Sequence, residues 1–187
     1  EPTTDNVIIP EPTYGMYEVS AAINDIQVKR IGLNEDFSLN VQAIFDAVDP
    51  QTKLLFICSP NNPTANSFAA SDIVKLLNGF KGLVVLDEAY IDFADGKGLV
   101  SRLEQYASLV LLRTLSKAWS AAGIRLGMVF AHPRLIAYLT SVKYPYNVNT
   151  LTLEEAKRQL ADPGKQKHWV QTILEERERL ARNLSSF

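Results

Sequence analysis

The stretch Lys53–Tyr90, KLLFICSPNNPTANSFAASDIVKLLNGFKGLVVLDEAY, decides the fold. It opens on KLLFICS, an apolar run of strand length, and passes through a loop rich in Asn and Pro. An amphipathic segment, SDIVKLLNGF, follows, and then a second apolar run, GLVVLDEA. Two buried strands separated by a helical pattern predict parallel neighbours joined by a crossover helix. Ser71 is expected to cap that helix at its N-terminus.

The same alternation extends outward. Upstream, NVIIPE reads as a strand, YGMYEVSAAIN as a helix closed by Asn24, IQVKRIGL as a strand, and SLNVQAIFDAV as a helix stopped by Asp49 and Pro50. Downstream, a looser segment around DFADGKG precedes two further strands, SLVLLRT and IRLGMVFA. The pattern predicts an α/β fold, a three-layer αβα arrangement around a mostly parallel mixed sheet. From Pro133 the character changes: RLIAYLTSVK is helical, YPYNVN is a break, TLEEAKRQLA is helical, and a long charged helix follows Pro163 and Gly164. In that last helix Trp169, Val170, Ile173, Leu174, Leu180 and Leu184 largely share one face.

Composition narrows the function classes. The 187 residues are 47% hydrophobic and 21% charged, the balance of a globular chain. A net charge of −2 gives no electrostatic basis for binding nucleic acid or an anionic membrane. The apolar runs are far too short to span a bilayer, and no signal peptide is apparent. The single cysteine, Cys58, fits a reducing compartment and reads as a small buried hydrophobe. The expected location is the cytoplasm. His132 and His168 have no metal-ligand spacing, and both read as structural, so no metal is expected.

In an open α/β sheet, ligands bind beyond the carboxyl ends of the strands. Four runs deliver polar residues there: VIIPEP leads to Thr13, Tyr14 and Tyr17; LLFIC to Asn61, Asn62 and Pro63; GLVVL to Asp87, Glu88 and Tyr90; LVLL to Arg113, Thr114, Ser116 and Lys117. The last of these continues as RTLSKAWSAAGIR, which sets one lysine among small and hydroxylated residues and closes on Arg125. A phosphorylated aromatic aldehyde uses such a set. A lysine amine engages the aldehyde, and a carboxylate keeps a ring nitrogen protonated. Hydroxyls and a guanidinium hold the phosphate. Lys117 is then the covalent anchor, and its neighbours form the phosphate cup.

Each residue also has a plainer reading. A lone lysine is by default a surface lysine, and Asp87 with Glu88 is by default an acidic turn after a strand. Asn61, Asn62 and Pro63 are ordinary turn formers. Tyr14 and Tyr17 sit at helical spacing, and for Tyr17 a core position is the better reading. Arg125 has the plainer reading of a helix cap or a partner to an acid, and for Arg113 that is the better reading. Glu88 is expected to be structural or to sit behind the site, and EERERLAR to be a solvated helix face.

Taken in order, PTYGMY, SPNNPT, DEAY, RTLSKAWSAAGIR and YPYNVN resemble the fold-type I aminotransferases of class I and II, which depend on pyridoxal phosphate. Within that family the likeness is to the members that act on histidinol phosphate. The resemblance runs along essentially the whole chain. It implies that Lys117 is the Schiff-base lysine, which also shuttles a proton, and that Asp87 partners the ring nitrogen. It further implies that Tyr90 and Asn62 donate to the ring oxygen, that Tyr14 stacks on the ring, and that Thr114, Ser116 and Arg125 bind the phosphate. The expected reaction moves an amino group between L-glutamate and the keto partner of histidinol phosphate, imidazole acetol phosphate, in histidine biosynthesis. A homodimer is also implied.

Two departures from the family pattern stand out. Ala65 replaces the usual glycine, which strains the backbone there if φ is positive. The chain is also about half the family length, near the size of one domain. Residues 1–150 are therefore expected to form the core of the cofactor-binding large domain, and 151–187 a helical segment leading towards a small domain that the chain lacks. Two alternatives follow: a decarboxylase or lyase of a phosphorylated amino acid on the same fold, or an inactive fragment of such an enzyme. The resemblance also implies a cis peptide between Asn62 and Pro63.

Overall fold

Along the central strands, residues of one parity bury against one layer and residues of the other parity against a second. In a computed structural model describing residues 1–96 and 98–185, β1 (Asn6–Glu11) sends Ile8 to one face and Val7 and Ile9 to the other. β3 (Thr52–Cys58) does the same with Leu55 and Ile57 against Leu54, Phe56 and Cys58. This is the period-2 pattern of strands covered on both sides. The helix α1 (Met16–Ile23) covers the Val7 face with Tyr17 and Ala21. On the opposite face α2 (Val41–Ala47) and α3 (Ala70–Gly79) bury Ile44, Ile73, Leu76 and Leu77 against Ile8, Leu55 and Ile57. The expected three layers are present.

The sheet has six strands in the order β2-β1-β3-β4-β5-β6, with β2 at Gln27–Gly32, β4 at Leu83–Asp87, β5 at Leu109–Thr114 and β6 at Gly127–Ala131. Every pairing is parallel except that of β5 with β6. Only the twelve-residue segment 115–126 separates those two strands, and its helical content is a single 3₁₀ turn at Ala122–Ile124. Without a crossover helix, β6 runs back antiparallel. Its register sets Thr114 opposite Gly127, so the start of β6 lies at the carboxyl edge of its neighbours. The chain leaves β1 towards β2 and returns on the other side to β3, which puts the topological switch between β1 and β3.

Several boundaries differ from expectation. Ser71 does not cap α3: Ala69 is the N-cap, no side chain caps the helix, and Ser71 lies inside its first turn. Asp72 in that turn offers the charge complement to the helix N-terminus instead. The helix expected from Ser38 starts at Val41 because Asn40 accepts the Ala43 N–H at 3.0 Å. β6 starts at Gly127, not Ile124, because Arg125 is left-handed, with φ 54°.

Beyond β6 come α4 (Pro133–Val142), α5 (Thr150–Leu160) and α6 (Pro163–Leu184). His132 has a structural role, accepting the Arg134 N–H as the N-cap of α4. α5 is tied to the lysine segment. Ala156 packs with Leu115 and Ala121, and the Thr152 hydroxyl donates to the Ile124 carbonyl at 3.1 Å.

Candidate active site

Four strand ends open into one cavity of about 290 Å³, at the lower end for small-ligand pockets. Tyr14, Asn62, Asp87, Tyr90, Thr114, Ser116, Lys117 and Arg125 all line it, so the eight residues singled out in the sequence converge. Cys58, Ala89, Leu112 and Arg113 complete the wall.

Lys117 is presented by a tightly packed turn. Leu115, Ala118 and Ala121 are buried around it, Ala121 N–H bonds back to the Leu115 carbonyl, and Ser120 N–H to the Lys117 carbonyl. Small residues at 118 and 121 allow that close packing, while Lys117 itself stays exposed. Its Nζ lies 5.1 Å from the centroid of the Tyr90 ring, within cation–π range. On the same loop the Thr114 hydroxyl donates to Ser116 Oγ at 2.9 Å and accepts the Ser116 N–H. Arg125, left-handed just before β6, sits on the same rim, its Nη1 donating to the Ala122 carbonyl.

The two carboxylates after β4 take opposite roles. Glu88 is 2% exposed, and it accepts from Arg113 Nε at 2.9 Å, Arg113 Nη2 at 2.7 Å and Leu99 N at 2.7 Å. That ion pair is one of the uses expected of each residue. Gly98, with φ +67°, lies so close to Glu88 that a Cβ would fall 2.2 Å from Oε1. Asp87, by contrast, holds only neutral donors: the Tyr17 hydroxyl at 2.7 Å and the Ala89 N–H at 2.9 Å. Among the described residues no cation pairs with it, so its negative charge is available to the cavity.

Asn61 holds the rim together. It is 3% exposed, accepts from the Thr13 hydroxyl at 2.8 Å, and donates to the Pro12 carbonyl and the Thr64 hydroxyl. The loops after β1 and β3 are thereby locked side by side. In the sequence Asn61 has the look of an ordinary turn former, because the two loops it joins are distant from each other along the chain. The Asn62–Pro63 bond is cis, as the resemblance implied, and so are Glu11–Pro12 and Ser59–Pro60. Ala65 does have positive φ, at 62°.

Tyr17 is a core residue, as read, with one addition. Its ring stacks on Phe56 at 5.1 Å, and its hydroxyl reaches Asp87. Burial, and then the Asp87 charge, push its phenol far above the ordinary range, so it remains a donor. Cys58 is buried as expected, and burial likewise raises its thiol.

The donor set fits pyridoxal phosphate. An amine, an unneutralised carboxylate, two candidate ring-oxygen donors, and a hydroxyl pair beside a guanidinium surround a single cavity.

A family model described as aminotransferase class I and II matches residues 1–187. The chain is 48% identical over 185 residues to a histidinol-phosphate aminotransferase of Parabacteroides distasonis, covering 99% of this chain and 54% of that protein. It is 50% identical over 184 residues to one from Flavobacterium johnsoniae, covering 98% and 53%. The fold matches the solved histidinol-phosphate aminotransferase of Clostridium acetobutylicum with a TM-score of 0.89 at 23% identity, over 98% of this chain and 56% of that one. The chain thus spans about half the length of the curated relatives it matches.

Proposed function

The chain belongs to the class I and II aminotransferases, a family that depends on pyridoxal phosphate, and we propose on that footing that the whole protein exchanges an amino group between L-glutamate and the keto partner of histidinol phosphate. The observation that carries the proposal is the placing of Lys117 and the unneutralised Asp87 on one cavity with the Thr114, Ser116 and Arg125 group.

When bound, pyridoxal phosphate supplies an electron sink for a carbanion beside the amino nitrogen. Asp87 would hold a proton on the ring nitrogen by its charge, and Lys117 Nζ would take a proton from the substrate carbon and return it. Tyr90 and Asn62 would donate to the ring oxygen, and Tyr14 would cover the ring face. Thr114, Ser116 and Arg125 would grip the phosphate, Arg125 through its fixed fork of donors. The proposal includes a homodimer, which would sediment at twice the subunit mass and is refuted by a monomer at micromolar concentration. It also includes a cytoplasmic location, in keeping with a single buried thiol.

The test is to supply the full-length enzyme with histidinol phosphate and 2-oxoglutarate and to follow glutamate. Glutamate formed in step with loss of histidinol phosphate supports the reading. Release of carbon dioxide from a phosphorylated amino acid, without glutamate, contradicts it and favours a decarboxylase.

A further inference from the structure

We propose that Tyr17 is a positioning residue for Asp87, fixing from behind the cavity the orientation in which that carboxylate meets a cationic ring nitrogen. The inference rests on the reading of the cavity as a pyridoxal-phosphate site and adds a residue to it.

Tyr17 is 6% exposed and forms no part of the cavity wall. It touches three residues that do, Cys58 by packing and two by specific contacts. Its hydroxyl donates to Asp87 Oδ2 at 2.7 Å, and its ring meets Tyr14 edge to face, with centroids 5.6 Å apart and planes at 84°. The ring is held in turn by stacking on Phe56 of β3, with planes 14° apart. Tyr17 lies in the first turn of α1 and Tyr14 just before its N-cap, Gly15, so the edge contact ties the helix to the loop that enters it. Helix, strand and carboxylate are therefore mechanically linked through one phenol.

An ionised carboxylate has about four lone-pair sites. Two are filled here, by Tyr17 and by the Ala89 N–H, one on each oxygen. Neither donor carries charge, so the carboxylate is oriented without being neutralised. Glu88, the next residue, shows the alternative: it is spent on Arg113. The Tyr17 proton is also secure, because burial and the adjacent charge oppose ionisation of the phenol. Tyr17 thus stays a donor, and among the described residues no further donor meets the remaining lone pairs of Asp87.

A double-mutant cycle tests this in the full-length enzyme, with the pyridoxal-phosphate dissociation constant read from the visible absorbance. Tyr17→Phe keeps the ring, its stack and its edge contact, and deletes only the hydroxyl. It is expected to weaken cofactor binding about tenfold, equivalent to about 1.4 kcal/mol. In an Asp87→Asn background, where binding is already weak, the same deletion is expected to change affinity by less than about twofold. Unchanged affinity in Tyr17→Phe, or an equal loss in both backgrounds, would make Tyr17 a packing residue and overturn the assignment. A wild-type enzyme that binds no cofactor would overturn the parent reading as well, which separates the two failures.

Discussion

At position 65 the protein carries alanine where its family pattern has glycine, and the backbone there is left-handed at φ 62°. A Cβ in that conformation costs about 1–2 kcal/mol, against which glycine loses roughly 0.4–1 kcal/mol through its freer unfolded chain. Ala65→Gly is therefore expected to stabilise the protein by roughly 0.5–1 kcal/mol, read from the urea midpoint. A loss of stability would show that Ala65 makes contacts outweighing its strain. The loop is held in its shape from both ends by Asn61, whose backbone N–H bonds to the Asn66 carbonyl and whose own carbonyl accepts the Ala65 N–H. Motif residues such as Lys117 and Asp87 were legible in the sequence because their neighbours dictate the turn they sit on. The hydroxyl of Tyr17 was not, since its partner lies 70 positions away and helical spacing reveals only the ring's burial.

Among the elements, the amino edge of the sheet is tied by Asp49, which follows α2. It accepts from Lys29 of β2 at 2.5 Å, from Asn6 of β1 at 3.0 Å, and from Thr52 of β3 at 2.9 Å. These bonds, Lys29 foremost, hold its carboxyl well below the ordinary value of 3.8. A depressed carboxylate contributes stability above its unfolded pKa and loses it as pH falls through the folded value. Wild type is thus expected to lose stability progressively below about pH 4, and Asp49→Asn to be less stable at pH 7 but flatter in that acid range. Urea midpoints at pH 7, 4 and 3 check this; parallel pH profiles would contradict it. The strands and most helices were legible as short apolar runs and helical patterns. The antiparallel return of β6 was less so, because IRLGMVFA carries no mark of direction and only the lack of a helix in 115–126 reveals it. Ser71 misled because α3 begins two residues after Phe68, which is buried and fixes where the chain turns into the helix.

For the whole molecule, the carboxyl half of the sheet is the organising feature. Four parallel or returning connections discharge polar residues at one edge, and hydrophobic contacts beneath them keep that edge fixed. By contrast, Val142, Tyr144, Tyr146 and Leu151, from the end of α4 to the first turn of α5, are more than four-fifths exposed. An apolar surface of this kind fits the proposed homodimer. No helix among the described residues is long and apolar enough to cross a membrane. Binding of pyridoxal phosphate in the cavity through Lys117 is the step on which the proposed function depends. Its most direct measurement is the visible spectrum of the full-length enzyme with added cofactor, wild type beside Lys117→Ala. In wild type a band shifted from that of free cofactor is expected to survive dialysis, and in the variant it is expected to be absent. The same band in both proteins, or in neither, would contradict binding through Lys117.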